Sequence, residues 1–395
     1  MTALEFSPYD YRIHEDPYPT YARLRAEAPL YRNDEFDFWA LSRHADVVAA
    51  FRNLDVFSNA NGVSLDPSAY GPHAHRTMSL LATDPPLHTR MRSIVSRTFT
   101  PRRIAALEPR IREITLEHLE PALDGGAFDF IDDLAGRIPM DVISELVGVP
   151  TEDRVELRRL ADLLVHREEG TYDVTPQGFE AAIALFGYYD ELMRDRRAHP
   201  RDDLTSELLA DEVDGDRLSD EEIAAFLFLL VVAGNETTTK LLGNAWYWAW
   251  ANPDERAKPF ADRERIHDWV EETLRYDGST QMVLRTVKAP VTLHGVDLDA
   301  GERVFLLIGS ANRDERVFDR PSDYDLDRVT SDLLAFGSGR HFCLGALLAR
   351  LEARAVLDEL LVRIADYDID VARAARVHSA NVRGFATLPT TVVAR

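Results

Sequence analysis

Residues 336–350 read Phe336-Gly337-Ser338-Gly339-Arg340-His341-Phe342-Cys343-Leu344-Gly345-Ala346-Leu347-Leu348-Ala349-Arg350 and hold the only cysteine among 395 residues. A lone cysteine is ordinarily an inert, buried small hydrophobe. Here glycines precede it, as a tight loop requires, and a helical pattern from Leu344 to Ile364 starts just after it. The sulfur is therefore expected near a helix N-terminus, where unpaired N–H groups and the dipole favour a thiolate. Gly345 leaves the first helical turn without a side chain, so a flat ligand has room against the backbone. Phe336 is placed to shield one side of the loop from water.

A second segment carries chemistry. Ser219-Asp220-Glu221-Glu222 forms a capping box, with Ser219 as N-cap and Glu222 reaching back. The helix it opens runs to about Ala251, where Asn252-Pro253 stops it. At 1.5 Å per residue such a helix is about 45 Å long, enough to cross a whole domain. Its first half is apolar on every face and is expected to be buried. Ala233-Gly234-Asn235-Glu236-Thr237-Thr238 then interrupts the apolar run. Buried polar groups cost free energy unless they find partners or water. Gly234 weakens the helix by about 1 kcal/mol relative to Ala. Thr237 is placed to bond back to the carbonyl of Ala233 and bend the helix. A local groove that holds water is the expected result.

Around these segments the pattern is mainly α with a smaller β region. Helical stretches dominate from Leu87 to about Ala249, with breaks at Pro101, Gly125-Gly126, Pro150, Gly170 and Pro200. The β-rich parts are expected at about 29–58, 283–308 and 378–393, and residues 59–86 and 309–342 read as loop. Evenly spread Pro and Gly, with no repeat or low-complexity linker, predict one integrated domain over 1–395.

The composition is that of a globular protein, 45% hydrophobic and 29% charged. A net charge of −23 argues against nucleic acid and anionic membranes as partners. One cysteine permits no intrachain disulfide. The N-terminus lacks a basic and an apolar region, and the longest apolar run, Ala224 to Gly234, is shorter than the ~20 residues that cross a bilayer. The expectation is a soluble, cytoplasmic protein with no membrane anchor. The acidic stretch Asp211 to Glu222 lacks the ligand spacing of a calcium loop, and His73 and His75 have no further ligands near them, so both read as loop.

The cysteine segment resembles the haem-binding signature of the cytochrome P450 family: Phe, Gly, a basic residue, Cys, and Gly two places after it. The resemblance extends over nearly the whole chain, from about residue 8 to 393, and implies that family's fold, with haem between the long central helix and the cysteine loop and helix. It makes Cys343 the axial thiolate ligand of a haem b iron, with Phe336, Gly337 and Gly345 around the ligand loop and Ala233 and Gly234 on the facing helix. A thiolate ligand favours cleavage of an iron-bound O–O bond. His88, Arg92, Arg285 and His341 would bind the haem propionates, which need cationic partners once removed from water. The hexapeptide 233–238 matches the family's oxygen-activation motif. By that match Thr237 would hydrogen-bond the dioxygen and Glu236 would relay protons. Glu272 and Arg275, alone a weak i,i+3 pair, match a buried structural lock, with Arg328 as a third member.

The resemblance implies a monooxygenase that inserts one oxygen atom of O2 into an apolar organic substrate by hydroxylation or epoxidation. Met78, Leu80, Leu229, Ala233, Val283 and Phe385 are the expected substrate contacts, and helices 151–167 and 176–197 with their loop the expected mobile lid. No reductase or ferredoxin pattern occurs in the chain, so electrons would come from a separate ferredoxin-type donor and its NAD(P)H-dependent reductase; a monomer is expected. Residues 84–112 hold seven arginines against two acids, and with Arg340, Arg350 and Arg354 they suggest a basic docking face for that donor. Two departures stand out: Asn235 replaces a frequent His, and the proline frequent near Ser279 is missing, which is expected to loosen that segment. Two alternatives stay open: a peroxide-driven, coupling or desaturating enzyme on the same fold, and a non-catalytic haem-thiolate sensor. Glu236 and Thr237 speak against the sensor, which needs no proton relay.

Overall fold

The structure, a computed structural model, describes residues 4–165, 170–212 and 215–395. Its axis is the helix Asp220–Ala251, with the Ser219 and Glu222 capping box formed at its N-terminus. By length and composition this helix is able to cross a membrane, yet most of its apolar stretch is buried in the protein. Both halves are buried, not the first alone. Trp246, fully buried, is stacked between Phe130 at 5.0 Å and Tyr367 at 3.6 Å.

Helices Arg154–Val165 and Pro176–Ala198 pack against each other and against the central helix. Gly178 makes their approach close: a Cβ there would lie 2.8 Å from the carbonyl oxygen of Leu163. Residues 166–169, in the expected lid, and 213–214, in the acidic stretch, lie outside the described residues. On the opposite side, Ile266–Asp277 and Ala346–Arg363 pack on the central helix and on each other.

The larger sheet has the order Leu30–Asn33, Phe38–Leu41, Arg303–Leu306, Val283–Val287, Phe57–Ser58. Only the pairing of Phe38–Leu41 with Arg303–Leu306 is parallel. Arg285 stands opposite Val304, which fixes its side chain on the buried face. A second sheet joins Ala127–Asp129, Pro389–Ala394 and Ile364–Ile369. The sequence pattern missed its strands 127–129 and 364–369, which are short or continue straight from a helix. The stretch 59–86, expected as loop, contains the helical turns His75–Met78 and Ser79–Ala82.

Candidate active site

A cavity lies between the central helix and the cysteine loop. Phe336, Gly337, His341, Cys343 and Gly345 line one side, and Leu229, Ala233, Gly234 and Thr237 the other. Gly337 and Gly339 have φ of +70° and +74°, the left-handed region that glycine enters freely, and they turn the loop so that Cys343 N–H donates to the Phe336 carbonyl at 2.9 Å. Cys343 is exposed, but to this interior space. Burial by the surrounding walls pushes its thiol up; the N–H groups of Gly345 and Ala346 and the charges of Arg92 and Arg350 pull the other way. The sulfur thus lies at the start of the helix Ala346–Arg363, as expected, and in the chain alone burial outweighs the pull of its N–H groups. A Cβ at Gly345 would meet nothing within 4 Å, so the space beside the sulfur is open. Arg350 lies over the Phe336 ring at 4.4 Å and is held by Glu271 at 2.6 Å.

Arg92, Arg285 and His341 line the same cavity. His88 stands behind His341, ring to ring at 4.0 Å. Both nitrogens of both imidazoles and Nε of Arg285 are buried without a hydrogen-bond partner. Burial, with Arg92 and Arg340 nearby, lowers His88 to about 4; burial, His88, Arg285 and Arg92 push His341 lower still. Burial alone brings Arg285 down to about 10. Such a set of unpartnered donors is costly and fits a ligand that brings anionic oxygens. The thiol, the flat open space and this cluster together fit haem.

On the central helix the Thr237 hydroxyl donates to the Ala233 carbonyl at 2.8 Å, and Ser279 Oγ donates to the Thr237 carbonyl at 2.6 Å. Ser279 is buried, so the segment lacking proline is pinned, not loose. Glu236 is 5% exposed and faces away from the cysteine, into a separate chamber that Asn235 also lines. Its carboxylate pairs with Lys240 at 3.3 Å. Spacing i,i+4 on a helix is a legible signal for this pair, masked here by the apolar residues that flank it.

Leu80, Leu229, Ala233 and Val283 line the cysteine cavity, and so do Phe99, Ile143 and Phe226, which the sequence pattern did not mark. Phe385 does not. It packs toward Gly243, meets the Tyr247 ring at 4.7 Å in a tilted contact and carries Arg376 at 4.1 Å; the hairpin of Ala375–Arg376 with Phe385–Thr387 sets it beyond the cavity. Met78 is also outside it, facing the loop at Gly62, because Ser79 at φ +46° turns the chain before Leu80.

Glu272 and Arg275 form a bidentate pair at 2.7 and 2.8 Å, both at most 1% exposed. Arg328 reaches Glu272 at 3.4 Å. Arg275 also donates to the carbonyls of Asn312, Pro321 and Asp323, so the pair ties down the irregular segment ahead of the cysteine loop.

The expected basic docking face is thinned by ion pairs, though Arg97, Arg102, Arg340 and Arg354 stay exposed. Arg90 pairs with Asp216 and Glu222, Arg103 with Glu207, Arg110 with Glu145 and Arg112 with Asp358 and Glu359, while Arg92 points into the cavity. Folding brings acids from distant segments onto these arginines, which local charge counting does not see. No group of three metal-ligating side chains occurs among the described residues.

The cytochrome P450 family profile matches residues 262–365. A Mycobacterium tuberculosis protein carrying the name cytochrome P450 123 is 57% identical over 99% of this chain and 98% of its own length. The vitamin D(3) 25-hydroxylase of Pseudonocardia autotrophica is 38% identical over 96% of this chain and 94% of its own. The solved structure of cytochrome P450 CYP109Q5 from Chondromyces apiculatus superposes with a TM-score of 0.88 at 34% identity, covering 99% of this chain and 98% of that one. Identity at this level over nearly the full length, on the same fold, makes the chain a member of the cytochrome P450 family, haem-thiolate monooxygenases among the oxidoreductases.

Proposed function

We propose that this single-domain chain binds haem b through Cys343 and inserts one atom of O2 into an apolar small organic substrate, by hydroxylation or epoxidation. The observation that carries the reading is the convergence, in one cavity, of the only thiol in the sequence with Arg92, Arg285 and His341, backed by His88, where the imidazole nitrogens and Arg285 Nε have no hydrogen-bond partner. When bound, haem supplies the oxygen and electron chemistry, and the protein supplies ligation, orientation and protons. Arg92, Arg285 and His341, with His88 behind, would hold the two propionates by charge-assisted hydrogen bonds. Cys343 would ligate the iron from the loop side. The Thr237 hydroxyl, now donating to Ala233, is free to turn and offer its proton on the opposite side. Glu236 would bring protons from the chamber behind the helix. Leu80, Leu229, Phe99 and Val283 keep the reacting region dry and favour an apolar guest, in keeping with the name of the vitamin D(3) relative. Electrons would come from a separate ferredoxin-type protein and its NAD(P)H-dependent reductase.

The test is spectroscopic. The reduced, CO-treated holoprotein should show the strongly red-shifted Soret band of a thiolate-ligated haem, and Cys343→Ser should abolish it. Retention of that band by the variant would falsify the ligand assignment.

A further inference from the structure

The chamber behind the central helix has a volume of about 590 Å³ and is lined by Glu236, Asp162 and Lys240. Lys240 Nζ lies 3.3 Å from Glu236 Oε2, and both side chains are less than a tenth exposed. Asp162 comes from the helix Arg154–Val165 and lines the same chamber as Glu236. Two carboxyl groups facing one chamber resist carrying a negative charge each, and a bond between them needs one to donate. Arg158 and Lys240 relieve this only in part. From the helix of Asp162, Arg158 is 4.0 Å away but also faces Asp132, from the helical segment Phe130–Ala135, at 3.7 Å. Arg159 is committed to Glu156 at 2.6 Å. From the C-terminal segment, Arg376 is committed to Asp277 at 3.3 Å, and His378 faces Glu15 at 3.5 Å. Tyr11, from the N-terminal helix, completes the wall. Lys240 is thus the cation held by Glu236, and Asp162 stands at the chamber wall with half its side chain solvent-exposed. Partial burial and the neighbouring Glu236 charge push Asp162 up to about 7. Independently, Asn235 Oδ1 is buried with no partner and its residue lines the same chamber, an acceptor that calls for water.

We propose that Asp162 is the positioning and proton-supplying partner of Glu236, so that protons reach the oxygen-reducing centre from this chamber by way of an Asp162–Glu236 carboxyl pair. This rests on the monooxygenase reading above. Water in the chamber protonates the Asp162 carboxylate. That proton passes through the hydrogen bond to Glu236, which carries it toward the Thr237 side, and Asp162 is reprotonated from the chamber. No electrons move in these steps. Lys240 keeps the unprotonated Glu236 in place between transfers. Gly384 makes room for Lys240, since a Cβ there would lie 2.5 Å from the Lys240 Cβ.

The experiment uses the full-length holoprotein with a surrogate ferredoxin and ferredoxin reductase. Carbon-13 carboxyl NMR of aspartate-labelled protein should show one aspartate titrating near neutral pH. That signal should vanish in Asp162→Asn and move to lower pH in Glu236→Gln. Donor-driven O2 consumption should fall about tenfold in Asp162→Asn, with a larger solvent deuterium isotope effect, and should recover in part in Asp162→Glu. The CO-complex Soret band should be unchanged in all three. Absence of a neutral-pH aspartate, or an Asp162→Asn variant with wild-type rate and isotope effect and an intact Soret band, overturns this proposal alone. Loss of the red-shifted band from the unmutated protein overturns the monooxygenase reading, and this proposal with it.

Discussion

The imidazole rings of His88 and His341 stand 4.0 Å apart, tilted by 41°, and no ring nitrogen of either forms a hydrogen bond. They come from segments some 250 positions apart in sequence, and Arg92 and Arg285 reach the same rim. Folding an apolar cavity around so many unsatisfied donors is costly unless a ligand answers them.

Haem retention should therefore depend on this rim. Removing one charged donor to a propionate costs about 1.5–3 kcal/mol. Arg92→Ala should release haem about 10- to 100-fold faster, and His341→Ala should act in the same direction. Haem transfer to a scavenging apoglobin measures the rate. A release rate equal to that of the unmutated protein would remove Arg92 from the propionate site.

Thr237 should govern how oxygen is spent. With its hydroxyl gone, Thr237→Ala should go on consuming O2 but divert it to peroxide or water, and product per donor oxidised should fall about tenfold or more. Thr237→Ser should keep most of the coupling. The ratio of product to NAD(P)H consumed, read beside peroxide release, decides it. Equal coupling in Thr237→Ala and the unmutated protein counts against the hydroxyl's role.

Asp277 should be a stability determinant with a defined pH sign. Its side chain is fully buried. Arg383 reaches it at 2.6 Å, Arg376 at 3.3 Å, the Tyr18 hydroxyl at 2.6 Å and Trp248 Nε1 at 2.8 Å. Burial by itself would raise its pKa, but the two guanidinium groups and the donated hydrogen bonds hold it well below the ordinary carboxylate range. The folded value is thus lower than the unfolded one. The resulting stabilisation is complete above about pH 4 and is lost as pH falls through the folded value. Asp277→Asn leaves two buried arginines without their anion and should cost about 3–5 kcal/mol. Urea unfolding from pH 7 to pH 3 should show a gap between the two proteins that narrows on the acid side. A gap that widens there would reverse the assigned sign.

The parts legible in the sequence are those written locally. The capping box at Ser219 and Glu222, the stop at Asn252-Pro253, the positive-φ glycines before Cys343 and the i,i+3 pair of Glu272 and Arg275 all depend on residues a turn or a loop apart. Phe385 and Met78 were misplaced because each depends on how a neighbouring segment turns, a hairpin in one case and the φ of Ser79 in the other. The expected basic face is thinned for the same kind of reason: Arg90, Arg103, Arg110 and Arg112 find acids from 35 to 247 positions away.

The order of residues along the chain set the thiol in its glycine loop, the interrupted long helix and the family to which they belong, since each is a short-range pattern that backbone geometry and side-chain spacing dictate. Only the folded structure decided which face of that helix each polar residue takes. Thr237 meets the cysteine cavity while Glu236, one position before it, meets Asp162 and Lys240 in another chamber. Adjacent residues on a helix point about 100° apart, so a polar hexapeptide necessarily serves two sides. What lies on each side is fixed by packing between segments remote in the chain.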